Sequence, residues 1–228
     1  QIHKRGEIAM KNILKIMLMM ITIYTITGSA VYAAEIPVSD QDQLITSRDW
    51  TEISNLQDEM KKEEPDATID YDKALKVYVD CNLIKLQTAD TKKLTSALES
   101  ANYVWVIPFK MEKTYGMFTV AKGLPLSEEA KSVLTKAEQE EVKNHAGKWM
   151  ITETAEHTVE PYYDILLEKR EALSDCTRVV LVGSQPGMRQ PVALGMDDET
   201  ARIWISLGYQ YPVTVSYTHL RAHETGRN

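Results

Sequence analysis

Cysteine is nearly absent: Cys81 and Cys176 are the only two in 228 residues. A disulfide framework and a four-thiolate metal site are thereby excluded. One bridge, Cys81 to Cys176, stays open, and so does a pair of partly buried thiols. Histidine is scarce as well, with five in the chain and only His145 and His157 between residues 34 and 214. No His-Glu-x-x-His spacing occurs, nor a phosphate-cradling glycine loop, a Cys-x-x-Cys pair or a dinucleotide fingerprint. Gly183-Ser184-Gln185-Pro186-Gly187 approaches a nucleophile elbow, but its serine stands one place too early for Gly-x-Ser-x-Gly and a strand pattern follows. It reads as a turn. No cofactor is implied by any motif.

Positive charge is also in short supply. Six of the 26 Lys and Arg and two of the 33 Asp and Glu lie outside residues 34–214, which leaves 20 against 31 and a net charge of −11. Such a surface repels phosphate backbones, so nucleic-acid binding is not expected, nor peripheral binding to anionic lipid.

What is present begins with a secretory pattern. Lys11 and Lys15 precede an apolar run from Ile16 to Thr25, and Val31-Tyr32-Ala33 supplies small or modest residues where a signal peptidase reads. Residues 10–33 therefore read as a bacterial signal peptide cut after Ala33. The alternative is an uncleaved anchor, which Thr22, Thr25, Thr27, Gly28 and Ser29 make too weakly apolar. The expectation is a protein secreted or held in the cell envelope, with no stable membrane insertion once the signal is cut. Residues 1–9 read as translated upstream sequence, since Lys4-Arg5-Gly6-Glu7 back-translates to a purine-rich stretch just before the Met10 codon. Val215 to Thr225 resembles an in-frame translation of a transposase adapter over eleven consecutive residues. Residues 215–228 are accordingly expected to be adapter read-through, with the native end lost after about residue 214.

Between these ends, residues 34–69 read as a leader helix with a linker, and 70–214 as a single domain of adequate size for a core. Asp49 is placed as the cap of a helix carrying Trp50, Ile53, Leu56 and Met60, which Pro65 closes. Residues 70–78 admit helix or strand, and helix is preferred. Thr91–Ser100 reads as a helix, then Tyr103–Phe109 and Met117–Ala121 as a hairpin. One helix runs from an N-cap at Ser127 to Gly147. A short strand follows at Trp149–Ile151, a helix opens at Pro161, and strands over Arg178–Val182, Pro191–Leu194 and Ala201–Leu207 form a C-terminal meander. The fold class expected is α+β: an antiparallel sheet made of a hairpin, a lone strand and a three-strand meander, with helices packed on one face.

One constellation carries candidate chemistry. Glu153, Glu156, His157 and Glu160 combine carboxylates and imidazole at a spacing that suits a divalent cation, in what reads as a charged loop before Pro161. Trp105 and Trp149 sit inside apolar runs and read as core. The expected function is a non-enzymatic binding or interaction domain for an envelope or extracellular ligand. The alternative is a secreted hydrolase using a carboxylate pair, whose members come from distant positions.

Overall fold

Leu75-Lys76-Val77-Tyr78 pair with neighbouring strands on both sides and are all buried, as in a strand covered on both faces. The helix preferred there is therefore corrected to a strand. Lys73 and Lys76 mimic the spacing of an exposed helix face, but Lys76 is an interior residue.

The structure, a computed structural model, describes residues 36–81, 83–86, 88–157, 160–183 and 191–207. The signal pattern, residues 1–9, the adapter-like end and the turn beyond Gly183 lie outside the described residues. In chain order the elements are α1 (Trp50–Ile53), α2 (Gln57–Glu63), β1 (Thr68–Ile69), β2 (Leu75–Tyr78), α3 (Leu83–Leu86), α4 (Thr91–Glu99), β3 (Tyr103–Lys110), β4 (Tyr115–Lys122), α5 (Glu128–Val133), α6 (Lys136–His145), β5 (Trp149–His157), α7 (Tyr162–Glu168), β6 (Arg178–Val182), β7 (Val192–Met196) and β8 (Ala201–Ser206).

The class is α+β. The strands form one eight-stranded sheet in the order β5-β4-β3-β2-β6-β7-β8, with β1 beside β3. The sheet is mixed rather than antiparallel, because β2 and β6 run parallel at its centre. Between them the chain travels out through β3, β4 and β5 and returns by α7, a crossover of the kind a parallel pair requires.

Helices cover both faces, which corrects the one-face expectation. On one face α7 packs with Val77, Val179, Leu181 and Ala193 around Leu166. On the other, α4 sets Leu94 and Leu98 against Val180, Val182, Leu194 and Trp204. That second face continues over β3 and β4, where Leu44, Ile53 and Met60 pack on Trp105, Ile107, Phe109 and Phe118. Leu44, Ile53 and Met60 are wholly buried, so the segment read as a leader is part of the core.

The helix expected over 127–146 is broken in two. Thr135 accepts from the Glu138 amide while Glu138 reaches back to the Thr135 amide, a capping box that starts α6 anew. Thr135-x-x-Glu138 was the signal for the break.

Candidate functional site

The acidic constellation does not converge. The strand at Trp149 runs on to His157, so Glu153, Glu156 and His157 are ladder residues, not a loop. Glu153 pairs with Thr119 and Glu156 with Gly116. Residues three apart on a strand point to opposite faces. Glu153 lies toward α7, where its charge adds to the burial that pushes the Tyr162 phenol up to about 12. Glu156 lies on the Phe109 face, and Glu160 is exposed beyond the strand. The His157 side chain lies outside the described residues. Among the described residues no group of three His, Cys, Asp or Glu is placed to hold a metal.

Of the two alternatives open for the cysteines, the structure has the pair of buried thiols. Cys81 and Cys176 are both buried and not joined. They belong to clusters on opposite faces of the sheet, Cys81 with α4 and Cys176 with α7. Burial raises both thiols.

A charged hub that the sequence did not mark lies where the two clusters of the α4 face meet. Its acceptors come from the N-terminal segment. Asp42 takes hydrogen bonds from Ser39 Oγ at 2.6 Å, Tyr78 OH at 2.8 Å and Arg178 Nη2 at 3.0 Å. Asp49 takes them from Tyr103 OH at 2.8 Å and Trp105 Nε1 at 3.0 Å. Asp49 therefore caps no helix: its backbone is already helical and its carboxylate faces the sheet. Apart from Ser39, the donors come from β2, β3 and β6, and on β2 and β3 the side chains of this face line up because Lys76 pairs with Trp105 and Tyr78 with Tyr103.

Lys76 completes the hub. Its ammonium stands 3.8 Å from Asp42 Oδ1 and lies over the rings of Tyr103, Trp105 and Tyr78 at 4.5, 5.2 and 5.8 Å. Burial pulls its pKa down against the pull of Asp42 and Asp49. Burial and the Asp49 bond push Tyr103 up to about 12, and burial beside Asp42 raises Tyr78. Both carboxylates accept hydrogen bonds from donors of the protein itself. The hub ties the N-terminal segment to three strands. It is helped by Val179 N to Pro37 O at 2.7 Å and Leu44 N to Ala74 O at 3.1 Å.

The second notable feature is the connection from β4 to β5. From Gly123 to Lys148 no residue is buried. Its local structure is nonetheless well specified. Ser127 and Thr135 cap the two helices, and Gln139 Nε2 binds the last carbonyls of α5 at Lys131 and Leu134. Gly147 takes the left-handed turn at φ 76°, and Gly123 bonds across the base to Gly147 and Lys148. Leu124 and Val133 remain 61% and 79% exposed.

No family model, curated protein or solved structure matches the chain. Among the described residues no helix is long and apolar enough to cross a membrane.

Proposed function

We propose that this chain is an exported bacterial domain that binds a partner outside the cytoplasmic membrane and performs no catalysis of its own. The observation that carries the reading is the exposed pair of consecutive helices α5 and α6. Ordering a backbone residue costs roughly 1–2 kcal/mol, and this segment offsets that with caps and hydrogen bonds but has no buried residue of its own. Exposed apolar side chains on a well-defined arm are what an interaction surface presents. The secretory pattern at Met10 to Ala33 supplies the compartment, and the saturation of Asp42 and Asp49 within the hub favours binding over carboxylate chemistry.

The test has two readouts on one protein expressed from Met10 in a bacterial host. Export is read by mass: the product found outside the cytoplasm should begin at Ala34, and retention of residues 10–33 defeats the compartment. Binding is read with a photo-crosslinking residue at Val133. It should give a discrete adduct that excess purified domain competes away, while a competitor with residues 124–146 replaced by a short flexible link does not. The replacement itself should change unfolding stability by no more than about 0.5 kcal/mol, as expected when no buried contact is removed. Equal competition by both proteins rules out the arm as the contact surface.

A further inference from the structure

We propose that the outer edge of β5 binds an extended, basic peptide segment as an added strand. β5 ends the sheet, and among the described residues nothing pairs with its outer side. The opposite edge is partly covered: the start of β8 is met by Ala89 and Asp90, with Ala201 N bonded to Ala89 O at 2.7 Å. An open edge is a row of unused amide and carbonyl groups, and strand addition uses them directly.

The register limits where the peptide fits. The β4–β5 ladder shifts between Val120 and Thr119, so Thr152 is an extra residue on β5. Such a bulge bends the edge and interrupts pairing. From Glu153 to His157 the ladder is regular again against Thr119 to Tyr115. Those five residues are the docking stretch.

Charge selects the occupant. From Met150 to Glu160 the chain carries Glu153, Glu156 and Glu160 and no Lys or Arg. Thr154 adds Glu63 from α2, whose Oε2 accepts its hydroxyl at 2.5 Å. The edge is thus acidic on both faces, with Glu153 toward α7 and Glu63 and Glu156 on the other side. A second copy of β5 is disfavoured, because like charges directly opposite across a ladder are destabilising. A strand with Lys or Arg at two positions three apart places one cation against Glu153 and the other against Glu156, one on each face. This inference is independent of the α5–α6 arm.

The probe is a labelled nine-residue synthetic peptide of alternating Thr and Val with Lys at two positions three apart, titrated into the full chain. A glutamate analogue and an analogue N-methylated on alternate backbone amides serve as comparisons. We expect binding of the Lys peptide, a loss of at least about tenfold in affinity for either analogue, and weakening with salt. Glu153→Lys with Glu156→Lys should abolish binding of the Lys peptide and admit the glutamate one. Hydrogen exchange at residues 153–157 should slow only when the Lys peptide is bound. Equal binding of the N-methylated analogue, showing mere electrostatic adsorption, overturns the proposal. So does no binding of the Lys peptide, or self-association of the chain through β5. Loss of binding on replacing residues 124–146 alone would place the contact on the arm and overturn it as well.

Discussion

Replacing Asp42 by Ala should destabilise the domain by about 3–5 kcal/mol, the usual result of stripping one partner from a buried ion pair. The Asp42 side chain is 2% exposed, and its partners Lys76 and Arg178 are 10% and 17% exposed. Without it two cations stay interior, and the hydroxyls of Ser39 and Tyr78 lose their acceptor. For a domain of this size that loss lowers the melting temperature by roughly 6–20 °C. Asp42→Asn keeps an oxygen for Tyr78 and removes only the charge, so it should fall between parent and Ala. Adding Lys76→Met to Asp42→Asn should recover part of the loss, because a buried charge that has lost its partner is better replaced by an apolar chain of similar length. Urea unfolding of the four proteins measures all of this. If Asp42→Ala lies within about 1 kcal/mol of the parent, the hub is not what holds the N-terminal segment to the sheet.

The hub also shows what the sequence could and could not reveal. Periodicity and capping were enough for α4, the β3–β4 hairpin and the strands at Arg178, Val192 and Ala201, because each is a local pattern with its own turn or cap. Long-range pairing was not available from such patterns. Nothing in Arg178–Val182 says that it lies parallel to a strand a hundred positions earlier, and without that pair the sheet reads as purely antiparallel. Asp49 matched the residue type of an N-cap, and only the tertiary fold turns its carboxylate toward Tyr103 and Trp105. The place of Lys76 is hidden for the same reason: lysine is rarely buried unless paired, and its partner Asp42 lies in a stretch without periodicity. Glu153 and Glu156 stand out in the sequence by their chemistry, but the strand that separates them onto two faces continues past the apolar residues that announce it.

A second large effect is expected at Gly116, where β4 passes beneath an aromatic ring. Gly116 pairs with Phe109 across the ladder, and a Cβ built on it would meet three atoms of the Phe109 ring at 2.1, 2.3 and 2.7 Å. A ring laid over a cross-strand glycine covers backbone that would otherwise be poorly packed. Phe109 is 1% exposed and tilts against Phe118 with ring centroids 4.8 Å apart, so it has no free direction in which to retreat. Gly116→Ala should therefore combine overpacking of about 1–3 kcal/mol with loss of part of an aromatic contact of about 0.5–1.5 kcal/mol. Gly147→Ala provides the contrast. Its Cβ would meet nothing within 4 Å, but φ is 76°, so its penalty is one of backbone conformation alone, about 1–2 kcal/mol. Phe109→Leu leaves room for the new methyl, so Phe109→Leu with Gly116→Ala should be less destabilised than the two single variants added together, by at least about 1 kcal/mol. Gly147→Ala combined with Phe109→Leu should show no such coupling. Additive behaviour at Gly116 would mean that the ring does not occupy the space above the glycine, and that the β3–β4 register differs from the one described.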